Sequence, residues 1–167
     1  MKQLLCALLL CTLNVAMASS FAPLQPEERF GPGIFTWRFS SNLTAEAKGV
    51  LEFCYAETGN QERVLGRVDI RSFRSSEARI PNLQILFTTA MVDGKKQAIL
   101  IVGYGLRSGT FVVEVPGLTS HSLVATQPQE SAAGEYSLLG FGDRVMLAPN
   151  SMEGTQGRLF FRYVESI

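Results

Sequence analysis

One histidine, His121, serves the whole chain. It lies in Leu-Thr-Ser-His-Ser-Leu, with no nucleophile motif around it, and Gly-x-Ser-x-Gly is absent. A hydrolytic triad needs a nucleophile, a base and a group that orients the base. This composition offers a single thiol pair, Cys54 with His121, and nothing in the local sequence supports it. Cysteine is as scarce. Of three residues, Cys6 and Cys11 fall in an apolar leader, which leaves Cys54 alone. No intrachain disulfide is then possible. A lone cysteine is expected to be a small buried hydrophobe, or, in a secreted chain, a free or intermolecularly bridged thiol.

The sequence supports metal chemistry as thinly. Zinc asks for three or four closely spaced nitrogen, sulfur or carboxylate ligands, and the calcium loop of the EF-hand is missing. Asp143, Glu153 and Glu135 are the carboxylates that one end of a β-sandwich would gather for calcium, but their spacing does not require it. No metal or cofactor is expected. The chain also lacks a charge excess, with fifteen Lys and Arg against fifteen Asp and Glu. Nucleic acid and anionic membrane call for a basic excess or patch, so neither is an expected partner. Helical periodicity never extends beyond two turns.

What is present begins with a leader. Lys2 forms a short positive region, Leu4 to Leu13 is apolar, and Ala16-Met17-Ala18 is a small-residue cleavage signal. Residues 1–18 therefore read as a secretory signal peptide, removed after Ala18, which places the chain in a secreted or periplasmic compartment. The apolar run is too short for a membrane span, and neither leader cysteine follows the small residue that a lipoprotein site needs. Residues 19–33, with Pro23, Pro26 and Pro32, predict an extended lead-in without regular structure. Residues 34–167 form the domain.

The strongest pattern is Leu83 to Tyr104. Two apolar runs flank Asp93-Gly94, which suits a two-residue type I′ turn. Counting outward pairs Leu83 with Tyr104, Ile85 with Val102, Phe87 with Leu100 and Thr89 with Ala98 on a core face. Leu86–Ile101 and Thr88–Ile99 lie on the other face, which turns polar towards the tip. Alternation continues elsewhere. Leu51, Phe53 and Tyr55 oppose Val50, Glu52, Cys54 and Ala56. Leu159, Phe161 and Tyr163 oppose Phe160 and Val164. Ile34–Ser40, Glu62–Phe73, Thr110–Val115, His121–Ala125, Glu135–Phe141 and Asp143–Ala148 complete about eight to ten strands, spaced as in an antiparallel β-sandwich, with a small closed barrel as the alternative. Gly103 to Gly109 imitates a phosphate loop, but a strand follows where a helix is required, so these glycines make a tight turn.

Arg63, Arg67 and Arg71 alternate along one strand, partly offset by Asp69. They are the candidate face for an anionic partner, against the plainer role of a charged face that keeps the sheet soluble. Asn42-Leu43-Thr44 matches a glycosylation sequon. Glu52, Asp69 and Glu114 are strand-borne carboxylates of the kind a glycoside hydrolase pairs. The expected function is a non-catalytic, exported binding or assembly module for a protein or envelope component, compatible with homo-oligomerisation. A secreted hydrolase and a hydrophobic-ligand carrier barrel are the alternatives. Any functional surface is expected on the arginine strand or in the 126–134 and 149–157 loops.

Overall fold

The computed structural model describes residues 19–24, 28–31, 34–44, 46–59, 62–73, 82–104, 107–113, 122–125, 130–142 and 155–166. In chain order the strands are β1 (Phe21–Pro23), β2 (Glu28–Gly31), β3 (Ile34–Ser41), β4 (Gly49–Glu57), β5 (Arg63–Asp69), β6 (Leu83–Val92), β7 (Lys95–Tyr104), β8 (Arg107–Val113), β9 (Ser122–Ala125), β10 (Glu135–Gly142) and β11 (Gly157–Glu165). A 3-10 turn, Ile70–Phe73, follows β5. Two antiparallel sheets pack face to face. One runs β1-β3-β6-β7-β8, with β2 also on β3, and the other β5-β4-β11-β10-β9. Among the described residues no strand pairing joins the two sheets, and the molecule is a sandwich and not a closed barrel.

The central hairpin has the register expected from its turn. Leu83 faces Tyr104, Ile85 faces Val102, Phe87 faces Leu100 and Thr89 faces Ala98. Asp93 and Gly94 take φ of 51° and 75°, the left-handed pair that a type I′ turn requires. β3 joins the hairpin with Phe35 on Phe87 and Trp37 on Ile85.

Prolines do not keep the lead-in out of the sheet. β1 lies along the Phe39–Ser41 end of β3 and β2 along the Ile34–Thr36 end. The N–H of Leu24 still donates to the Arg38 carbonyl at 2.8 Å. Proline is tolerated at an edge because an edge strand has a row of N–H groups with no ladder to serve.

The core is aromatic. Phe161 stacks on Tyr136 with centroids 4.7 Å apart and meets Phe39 edge-on at 5.1 Å. Tyr55 stacks on Phe141 at 5.0 Å. Phe21, Trp37, Phe53 and Phe87 are buried with them. Each such ring contributes roughly 1.5–3 kcal/mol on burial, and together they belong to one buried cluster. The expected strand Asp143–Ala148 lies outside the described residues, as do the expected leader and the 126–129 and 149–154 parts of the two loops.

Candidate functional site

Among the described residues, most ion pairs lie on the outer face of the second sheet. Their origin is the register. Glu52 on β4 sits directly across from Arg67 on β5 and from Arg162 on β11. Arg162 in turn sits across from Glu135 on β10. Four neighbouring strands thus set Arg67, Glu52, Arg162 and Glu135 in one row of alternating sign. Arg67 Nε donates to Glu52 Oε1 at 2.7 Å, and Arg162 Nε and Nη2 donate to Glu52 Oε2 at 3.0 and 2.8 Å. Glu62, just before β5, adds a carboxylate 2.8 Å from Arg162. Arg158 reaches diagonally to Glu135 at 2.6 Å.

The next row is uncharged: Val64, Cys54, Phe160 and Ser137, paired in that order across the same strands. Cys54 and Phe160 are fully buried although they lie on an outer face. The Arg158 guanidinium covers the Phe160 ring, 4.2 Å from its centroid. Long arginine stems can shield apolar surface while their charged heads stay wet.

Burial first, then the nearby carboxylates, push the Cys54 thiol up to about 12. A reactive cysteine needs the reverse shift, so Cys54 is the buried hydrophobe expected of it. Arg67, then Arg162, hold the Glu52 carboxyl below its ordinary range. A general acid needs its pKa raised, so Glu52 is a poor candidate for one. Asp69 is occupied too: Arg71 Nη2 and Nε donate to it at 2.7 and 3.1 Å, and the Arg71 N–H donates to Oδ1 at 2.8 Å. Glu114, His121, Asp143 and Glu153 lie outside the described residues. Among the described residues no group of three or more His, Cys, Asp or Glu is placed to hold a metal ion.

The structure does not bring Arg63, Arg67 and Arg71 onto one face. The β4–β5 register shifts between Phe53 and Cys54, so Leu65 and Gly66 together oppose Phe53. One extra residue reverses the alternation. Arg67 stays outside with Glu52, while Arg63 moves to the opposite side, across from the buried Tyr55. The expected anion-binding face is therefore split, and Arg67 and Arg71 already hold carboxylates of the chain itself. Arg158, Arg162 and Glu62 were not singled out by sequence. Their outward positions on alternating strands are legible, but their partners lie up to 110 residues away.

The outer face of the first sheet is different in kind. Leu86, Ile101 and Thr110 form one row, and Thr88, Ile99 and Val112 the next. Leu86, Ile99 and Ile101 are only half-buried, and Val112 is 54% exposed. An alternating strand usually turns polar residues outward; here Leu86, Ile99, Ile101 and Val112 take four of the six positions, beside Thr88 and Thr110. Among the described residues, β8 is the last strand of this sheet. No helix among the described residues is long and apolar enough to cross a membrane. No protein-family model, curated protein or solved structure matches the chain.

Proposed function

We propose that the protein is an exported, non-catalytic binding or assembly module that engages a protein or envelope component through the outer face of its first sheet. The observation that carries this is the apolar strip Leu86–Ile101 and Ile99–Val112, which lies on the face turned away from the core. Export follows from the leader at residues 1–18. Apolar side chains on an outer face are a usual means by which a sandwich adds a partner surface.

The chemistry elsewhere favours this over the two alternatives. A hydrolase needs an acid and a base whose environments drive their pKa values apart, and Glu52 and Asp69 are instead neutralised by arginine. A carrier needs an apolar cavity, and the aromatic rings between these sheets pack against one another.

The test is capture from the native compartment with a Leu86→Thr/Ile101→Thr/Val112→Thr variant beside the parent chain. Threonine keeps the strand propensity while removing apolar surface. The variant is expected to melt within a few degrees of the parent and to lose the captured partner. Unchanged capture by the folded variant would reject the strip as the binding surface.

A further inference from the structure

We propose that Asn42 is the acceptor of an N-linked oligosaccharide, added as the chain passes through the export pathway. The proposal rests on the export reading for its access to the transferase. In the transfer, Asn42 Nδ2 bonds to the anomeric carbon of a lipid-pyrophosphate-linked oligosaccharide. The bond from that carbon to the pyrophosphate oxygen breaks, the lipid pyrophosphate leaves, and the amide gives up one proton. No oxidant or reductant is consumed.

Asn42-Leu43-Thr44 has the required spacing, with no proline at the middle position, and is the only such match in the sequence. A glycan is bulky and hydrated, so its asparagine has to stand at the surface of the folded chain. Asn42 and Thr44 are both exposed, whereas Leu43 between them is half-buried and packs against the core cluster. The inward leucine thus holds the segment while the amide and the hydroxyl two residues apart face water. The sequon follows β3, which ends at Ser41, and precedes β4, which begins at Gly49, so it belongs to the connection between the two sheets. The backbone turns here. The Leu43 N–H donates to Ser41 Oγ at 3.2 Å, and the Ala47 N–H donates to the Thr44 carbonyl at 3.1 Å.

The same amide has a structural task that the modification has to leave standing. Asn42 Nδ2 donates to the Ser19 carbonyl at 2.7 Å, and the Asn42 N–H donates to the Ser20 carbonyl at 3.0 Å, which ties the approach to β1 to the end of β3. A primary amide nitrogen has two hydrogens. Substitution takes one and leaves one for Ser19. The position also spares the apolar strip of the first sheet. Phe39, three residues before Asn42, pairs with Leu83 at the base of the central hairpin, and the Leu86–Ile101 and Thr88–Ile99 pairs lie further towards its tip. A glycan on Asn42 is rooted at the base end of the sandwich, beyond that strip.

The full chain is expressed in a eukaryotic secretory host, and the exported material is read by intact mass before and after an amidase that releases N-linked glycans and leaves an aspartate side chain at the attachment site. The parent is expected to carry one glycan, to lose it to the amidase, and to show that aspartate in the peptide that contains Leu43. Thr44→Ser keeps the hydroxyl and is expected to stay modified. Thr44→Ala is expected to lose the glycan while keeping Asn42 and its bond to Ser19, so it should melt with the deglycosylated parent. Asn42→Gln removes both the acceptor and the bond, and should melt lower than Thr44→Ala. An exported parent that is bare at Asn42, or a Thr44→Ala chain still modified there, overturns the acceptor. A chain retained in the cell overturns the export reading instead. Residues 19–167 behind a leader of proven export then decide the acceptor: a modified Asn42 supports it and a bare one overturns it.

Discussion

Removing either end of the Glu52–Arg162 contact should have unequal consequences, although the same hydrogen bonds are cut. Glu52 has a side chain only 9% exposed, whereas Arg67, its other partner, is 64% exposed. Arg162→Met leaves Glu52 desolvated with that one solvent-facing cation. It also takes from Glu62 its 2.8 Å partner. Breaking a fully buried pair by deleting one member costs about 3–5 kcal/mol. With Arg67 remaining and Arg162 itself 28% exposed, about 2–3 kcal/mol is expected. Glu52→Gln strands nothing comparable. Arg162 keeps Glu62, Arg67 turns to water, and the amide oxygen still accepts a bond, so about 1 kcal/mol is expected. The double variant should cost about 1 kcal/mol less than the sum, because the neutral amide does not suffer from the loss of Arg162. Urea unfolding at pH 7, followed by the fluorescence of buried Trp37, measures all three. With m near 1–3 kcal/mol/M, Arg162→Met should lower the midpoint by about 1–2 M. An Arg162→Met cost no greater than that of Glu52→Gln, or strictly additive costs, would refute the account of the ladder.

The same carboxylate sets an acid limb. Its folded pKa is depressed below the ordinary 4.5, so its contribution is present above that value and fades as pH falls through the folded one. A melting series from pH 6 to pH 2 should therefore flatten in Glu52→Gln, and an unchanged slope would contradict the assignment. Cys54, buried and pushed up to about 12, should resist a thiol-disulfide reagent at pH 8 in the folded chain and react at once in denaturant. Gly157→Ala places a Cβ against the Phe141 ring and 2.7 Å from the Ala56 carbonyl, so a loss of about 1–3 kcal/mol in chemical denaturation is expected. Gly94→Ala meets no atom within 4 Å but holds φ at +75°, so its cost, about 1 kcal/mol, should be conformational alone and should leave the register visible by NMR unaltered.

Much of the scaffold is legible residue by residue. The Asp93-Gly94 turn and its ten-pair register follow from a local rule about turn chirality. The faces of β4 and β11 follow from alternation, with Leu51, Phe53, Leu159 and Phe161 inside. The arginine strand shows where such counting fails. Gly66 is visible as a weak point, but whether the chain bulges there depends on whether β4 pulls Leu65 towards the core. Because it does, Arg63 and Arg67 part company. Pro23, Pro26 and Pro32 likewise disfavour an interior strand, yet permit an edge whose location is a property of the assembled sheet.

By itself, then, the sequence determined an all-β fold, the central hairpin and its register, and the inward faces of β4 and β11. Each follows from interactions between near neighbours or from composition. The tertiary structure decided which charges meet. Glu52 finds Arg67 fifteen residues away and Arg162 one hundred and ten residues away, and Ser19 finds Tyr136 at one hundred and seventeen. Those meetings depend on strand order, and strand order is set by the burial of one shared core, which no local stretch encodes.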